Sequence, residues 1–422
     1  MRELKNTLVR EGVVMRVLFL TNLFPYPTRM SGGIFIHRRL LLCKTKNSCV
    51  FQVFCLPYYE FSPGLRLAMK YLGKTYYEAC NQWNLDGIRY TYCTLKRNLF
   101  TVFLQKTFPE QNTRFEEQIC HNILKQFDLH RLDLVHAHGM YEVAAGNVAR
   151  LISERTGIPY VITLHGSDVN IVMRKRVATY VNTLERASKC IFVSNALLEK
   201  AKSFGYSGKN GVVIPNGYDP KIFYPSDKDT MRKNLGVYRP NFKYVGFVGN
   251  LNEIKRADKL PTIFWEIHKR VPDVMFIVVG DGPLRKKVEQ DTSGLNVVFT
   301  ARIPQEEVAN WMNAMDVMVL PSRNEGFGAV AVEAQACGTI VVGSSNGGIP
   351  EAVGFEECIV QEGHDFEKRF ADKVVELLTS DQDALRNQIM LRAKQFTWES
   401  IVSRELEVYN EVLRVQSDQR KV

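Results

Sequence analysis

Short, nearly unbroken apolar runs recur along this chain, each bounded by polar or turn-forming residues and separated from the next by a segment of helical period. In the first half they fall at 16–20, 50–56, 87–92, 133–137, 160–164, 190–194 and 211–214. In the second half they fall at 243–249, 274–280, 296–299, 316–320, 340–344 and 357–360. Strands covered on both faces read this way, because neither side of the pleat meets water. Intervening stretches such as Gln305 to Ala314 carry the helical pattern. The alternation predicts an α/β chain of two doubly wound, Rossmann-like parallel sheets in tandem. Residues 226–242 are polar and read as the linker. That places an N-terminal domain over 15–225, a second over 243–395, and an amphipathic helix over 396–415. Ligands of such sheets lie at the carboxyl ends of the strands, and two such domains facing each other create a cleft.

Composition narrows the class. At 45% hydrophobic residues the 422-residue chain has ample material for two cores. No apolar run is long enough to cross a bilayer. The first residues lack the regions of a secretory signal. Met15-Arg16-Val17-Leu18-Phe19-Leu20 reads like a natural first strand, with Met15 a candidate start and residues 1–14 an upstream extension. Nine cysteines without a Cys-x-x-Cys pair point to a reduced, cytoplasmic protein with buried thiols and to no zinc site.

The net charge of +10 is uneven. Residues 1–225 hold 30 basic against 16 acidic side chains, a balance of +14; the remainder hold 25 against 29, or −4. No nucleic-acid motif accompanies the basic half. Basic residues mix with aromatic and aliphatic ones over Leu65 to Tyr77 and Lys96 to Phe108. That mixture suits contact with an anionic membrane surface, and equally a pair of amphipathic helices on a soluble domain.

The densest chemistry lies at 321–338, PSRNEGFGAVAVEAQACG. A strand, a glycine loop and a helix start, in that order, build an anion site from free backbone N–H groups and the positive end of the helix dipole. Glu325 in the loop and Glu333 in the helix bracket it. Carboxylates beside an anion site are suited to accepting hydrogen bonds from hydroxyls, and a nucleotide sugar has hydroxyls on both its sugars. Elsewhere, Ser31-Gly32-Gly33 follows the first strand, where glycines permit close backbone approach to a phosphate. His165-Gly166-Ser167-Asp168 ends one strand and His136-Ala137-His138 another. Asp168 is placed to orient its loop or cap the next helix. The His136 and His138 pair lacks a third metal ligand and reads as acceptor-side or structural.

Glu325-Gly326-Phe327-Gly328 followed by Glu333, continued by Ala334 to Val342 and Gly347-Gly348-Ile349-Pro350-Glu351, resembles the Glu-x7-Glu signature of retaining GT-B glycosyltransferases of family four, the glycogen-synthase-like group. The early Ser-Gly-Gly and later His-Gly-Ser-Asp are similar to bacterial enzymes of surface-polysaccharide assembly. The resemblance implies the GT-B fold, with the last helix crossing back to the N-terminal domain. It implies transfer from a UDP-, GDP- or ADP-sugar to an acceptor hydroxyl with retention, without cofactor or metal. The acceptor would be lipid-linked or a glycan, and the protein peripheral at the inner face of the membrane.

It further implies that Glu325 holds hexose hydroxyls and Glu333 the ribose. Gly326, Phe327 and Gly328 would form the loop between them, and Lys255 would neutralise the leaving diphosphate. His165 would lie by the donor sugar, with Gly32 and Gly33 against the phosphates. Gly282, in the Gly280-Asp281-Gly282-Pro283 turn, and Ile303 would flank the nucleotide. Asn250 stands where the family commonly has arginine and Arg256 where it has glycine, so Arg256 is a candidate replacement guanidinium. The rival readings are a GT-B sugar-nucleotide epimerase and a non-catalytic nucleotide-sugar-binding protein. A dinucleotide oxidoreductase would need a Gly-x-Gly-x-x-Gly that is missing.

Overall fold

The computed structural model describes residues 14–25, 33–45, 49–71, 82–126 and 131–419. The chain divides into two compact units. The first gathers the described residues of Met1–Val193, Leu197–Ile214 and Val402–Val422, and the second Ser194–Ala196 with Pro215–Ile401.

The first unit holds eight strands: β1 Met15–Thr21, β2 Cys49–Phe61, β3 Gln82–Leu85, β4 Ile88–Arg97, β5 Leu134–His138, β6 Tyr160–Leu164, β7 Lys189–Phe192 and β8 Gly211–Val213. Their spatial order is β3-β4-β2-β1-β5-β6-β7-β8. All neighbours run parallel except β3 and β4. β5 and β6 are buried throughout, as unbroken apolar runs demand. The antiparallel β3 was not expected from sequence. Its four residues alternate exposed and half-buried, too short a period-two signal at an edge, and a turn at Asp86-Gly87 joins it to β4, both residues at positive φ. β2 outruns the apolar run 50–56 because the ladder with β4 shifts register between Cys55 and Tyr58. Pro57, which has no N–H to donate, falls within that irregularity.

The second unit holds β9 Lys243–Val248, β10 Val274–Val279, β11 Val297–Thr300, β12 Val317–Leu320, β13 Ile340–Ser344 and β14 Ile359–Val360. They are all parallel, in the order β11-β10-β9-β12-β13-β14. The order reverses between β9 and β12, the place where loops at the carboxyl edge diverge and ligands of such sheets bind.

Residues 226–242 are not a bare linker. They contain helix Lys228–Asn234, capped by the Asp227 carboxylate on the Thr230 amide (2.8 Å). Arg232 of that helix is buried, donating to the Ala314 carbonyl (2.9 Å) and pairing with Asp316 (2.8 Å). The segment is therefore fastened to the core of the second unit. The final helix, Trp398–Gln419, extends past its expected end at 415. It starts in the second unit, where the Trp398 amide donates to the Tyr218 carbonyl (3.0 Å), and from Val402 onward belongs to the first. A side chain at Gly217 would strike the Trp398 ring. Among the described residues no helix is long and apolar enough to cross a membrane.

Candidate active site

In the second unit, the loop after β9 carries Lys255 and the loop after β12 carries Glu325. Because β9 and β12 are neighbours at the reversal, the two loops meet. The Lys255 ammonium touches Glu325 Oε1, and the same oxygen accepts from Ser322 Oγ (3.0 Å). Both side chains are largely covered, at 26% and 12% exposure. A second clamp lies beside the first. Arg323 donates to both Asp258 oxygens (2.8 and 2.9 Å) and to the Glu253 carbonyl, while its own amide donates to the Ile254 carbonyl (2.8 Å). The Arg323 guanidinium holds the Asp258 carboxyl below its ordinary range.

The glycines of this region are close-approach positions. The Gly348 amide donates to the Glu325 carbonyl (3.1 Å). A Cβ at Gly347 or Gly348 would lie 2.4 Å from the carbonyl oxygen of Glu325 or Gly326. Gly347-Gly348 thus fixes the backbone that presents Glu325. Gly328, at φ 94°, turns the chain into helix Ala329–Ala336, whose N-terminus no side chain caps. Its amides and dipole remain available to an anion. Phe327 is buried and its ring lies 5.7 Å from that of Phe396. Glu333 is half-buried further along the helix.

The remaining candidates of this unit divide. Gly282 serves loop packing: a Cβ there would sit 2.5 Å from the Leu251 carbonyl oxygen. Leu251 itself donates to the Asp281 carbonyl and accepts from the Leu284 amide. Asn250 is exposed and accepts from Arg302 Nη2 (3.3 Å); Ile303 is half-buried beside it. Arg256 is turned away from Lys255 and Glu325. Its backbone is left-handed (φ 55°), its guanidinium lies 4.0 Å over the Phe366 ring, and Nη2 donates to both Glu362 oxygens (2.8 and 3.0 Å). Glu362 is in turn held by Asn346, which also donates to the Ser322 carbonyl (2.6 and 3.2 Å). Arg256 thus braces the loops through Nη2, while its Nη1 is buried without a hydrogen-bond partner. Ser322, Arg323, Asn346 and Glu362 were not singled out from sequence. No motif marks them, and only their strand-end positions offered a signal.

In the first unit, His165 follows β6. The Asp168 carboxylate accepts from the amides of His165 (3.0 Å), Gly166 (2.7 Å) and Val169 (3.0 Å), so Asp168 orients the loop. Burial pushes the Asp168 carboxyl up, and those amides pull it down. His165 Nε2 lies 3.3 Å from His138 Nδ1 across the β5–β6 pair. His136 is buried between the Tyr409 hydroxyl (2.5 Å) and Thr163 Oγ1 (2.8 Å). Burial, then the positive charge of Arg39 or a neighbouring imidazole, pushes all three histidines well below their ordinary pKa. They are neutral at pH 7, which suits His165 to hydrogen bonding and not to acid catalysis. Arg39 is matched by the buried Glu405 (2.7 Å). Gly33 is also a close-approach position: a Cβ there would lie 2.4 Å from the Phe24 amide. Ser31 and Gly32 lie outside the described residues.

Two parallel sheets of this order, with charged loops at the reversal of the second, define the class: the chain has the GT-B glycosyltransferase fold. Residues 242–380 match the model of glycosyl transferases group 1 and residues 88–222 that of glycosyltransferase family 4. An uncharacterized glycosyltransferase of Methanocaldococcus jannaschii is 30% identical over 294 residues, 67% of this chain and 76% of the relative. The protein named "putative teichuronic acid biosynthesis glycosyltransferase TuaC" of Bacillus subtilis is 28% identical over 345 residues, 81% of this chain and 83% of the relative. The structure of Anabaena HepE in complex with UDP superposes with a TM-score of 0.68 at 20% identity, covering 94% of this chain and all of HepE. The chain belongs to the group 1, family 4 glycosyltransferases.

Proposed function

We propose that this glycosyltransferase moves a sugar from a nucleotide diphosphate sugar to an acceptor hydroxyl with retention and without a metal ion. The acceptor is lipid-linked or a glycan of the cell surface, and the enzyme works at the inner, anionic face of the membrane. The observation that carries this reading is the meeting of Lys255 and Glu325 beside the uncapped N-terminus of helix Ala329–Ala336. A diphosphate placed there would be held by helix amides and by Lys255, which stabilises charge as it develops on the leaving group. Glu325, released from Lys255 by the incoming diphosphate, would accept from sugar hydroxyls, and Glu333 from the ribose. HepE was solved with UDP, and TuaC is named for teichuronic acid biosynthesis; both support this choice of donor and acceptor class.

The test is a melting-point screen with UDP-, GDP- and ADP-sugars in the presence of a chelator, since a ligand of the folded state alone raises the transition. A shift with one nucleotide, lost in Lys255→Ala, supports the reading. A shift that requires a divalent ion overturns the metal-free mechanism.

A further inference from the structure

Four residues that line a cavity of about 230 Å³ in the first unit carry between them five buried side-chain atoms without a hydrogen-bond partner. The atoms are Arg97 Nε, Gln105 Oε1, both amide atoms of Asn112, and Arg176 Nε, out of twelve such atoms among the described residues. Buried polar atoms are nearly always satisfied, so this concentration is informative. Asn112 and Arg176 are almost wholly buried, and Gln105 nearly so. The other nitrogens of Arg176 are committed to Glu116, Thr113 and the Glu142 carbonyl. Only Nε is left over, 3.7 Å from Glu110 and too long for a hydrogen bond. Arg97, which lies over the Tyr59 ring, and Lys175 add cationic charge to the lining, and Glu142 adds one carboxylate. Glu116 and, at 3.7 Å, Glu110 face Arg176, which leaves Arg97 and Lys175 with Glu142 as the other charges of the lining.

The cover of this cavity is unusual. Helix Leu99–Thr107 turns the polar Gln105 inward and leaves Leu99, Phe100 and Phe103, with Phe108 just beyond it, more than half exposed. Helix Pro63–Tyr71, with Leu67 and Tyr71 exposed and with Arg66 and Lys70, starts from the end of β2, where Phe61 pairs with Arg97 of β4. Two short helices bearing outward apolar and basic residues therefore leave the same end of the same sheet. Such a surface fits an anionic lipid interface.

We propose that this cavity binds a phosphate-bearing polyol. Its phosphate accepts from Arg97, Arg176 Nε and Lys175, and its hydroxyls bridge Gln105 Oε1, the Asn112 amide and the Glu142 carboxylate. The volume equals the share of roughly eight waters, enough for such a head group and too little for a nucleotide sugar. The outward apolar helix makes a lipid head group the favoured source over a free phosphate ester. Assigning that head group to the acceptor rests on the function proposed above; the site itself does not.

The experiment measures binding to the full chain of sn-glycerol 3-phosphate and of glycerol by calorimetry. Co-sedimentation with phosphatidylglycerol and with phosphatidylcholine vesicles runs alongside, with UDP affinity as a separate reading. The variants are Asn112→Leu, Gln105→Leu and, at the rim, Arg97→Gln. Binding of glycerol 3-phosphate but not glycerol, weakened at least tenfold in each variant with UDP affinity unchanged, supports the site with a soluble ligand. Binding of phosphatidylglycerol vesicles alone, with the same loss, supports it with a lipid ligand. Binding of neither probe, or vesicle binding that all three variants leave unchanged, overturns it. Absence of UDP binding in the unaltered chain counts against the donor reading and leaves this test standing.

Discussion

The polar clusters at the carboxyl edges of the two sheets solve the same burial problem in opposite ways. After β9 and β12 the side chains are charged and paired with one another: Lys255 with Glu325, Arg323 with Asp258, Arg256 with Glu362. After β5 and β6 stand three imidazoles kept neutral by burial, linked to each other, to Thr163 and to Tyr409. The first arrangement can exchange partners when a charged ligand arrives, because each ion already has a partner of opposite charge and all but the buried Arg256 are only partly covered. The second cannot take on charge without cost, so it offers direction and no ionisation.

Acid should separate the clusters most strongly. The three histidines have folded pKa values well below the unfolded value of about 6.5, so below that pH the unfolded chain binds more protons. Stability is then full above pH 6.5 and falls as pH drops, by up to about 4 kcal/mol per pH unit if all three contribute. Asp168 and Glu405, pushed up by burial, work the other way, but only near the carboxylate range. Melting curves between pH 7.5 and 5.5 check this, and a flat profile would contradict neutral burial of the cluster. Next in size is Lys255→Ala, expected to slow transfer about 10²- to 10³-fold with an unchanged melting point; near-normal turnover would remove Lys255 from the chemistry.

Glu362→Gln weakens the partner of a buried guanidinium that retains its ring contact. It should lower stability by about 1–2 kcal/mol and leave donor affinity within a factor of two. A selective loss of donor affinity would return Arg256 to the phosphate site. The smallest effect is the most diagnostic of partner exchange. Glu325→Gln frees Lys255 and should tighten binding of the nucleoside diphosphate about two- to fivefold, the worth of one partly covered ion pair, even as transfer slows. Weaker diphosphate binding in that variant would argue that the pair does not need to open.

Most of the fold could be read from the chain because every strand but β3 runs parallel to its neighbours in the sheet core, and most are covered and so read as apolar runs. What escaped was whatever depends on an edge or on side-chain direction. β3 meets solvent on one face, and β2 runs on through Pro57. Arg256 sits in the right loop, yet its left-handed backbone carries the guanidinium onto Phe366. Lys255 and Glu325 were legible as separate positions; their contact follows from β9 and β12 being neighbours, which only strand order reveals. Gln105 and Asn112 carry no pattern, since a buried amide looks like any surface amide in a sequence. The outward face of Leu99–Thr107 could be suspected from its mix of basic and aromatic residues, but not the cavity beneath it.

The last helix has a consequence for how the molecule is made. Glu405 and Tyr409 complete the buried surroundings of Arg39 and His136, residues synthesised far earlier. At translation rates of roughly 5–20 residues per second, the first sheet waits on the order of ten seconds or more for them. During that interval a cationic side chain destined for the interior lacks its counter-charge. The second unit, by contrast, draws on a nearly continuous stretch of chain and can close as it emerges. The second unit is thus free to close before the first is complete, and a nascent chain stalled before residue 405 is expected to leave the first unit open to protease.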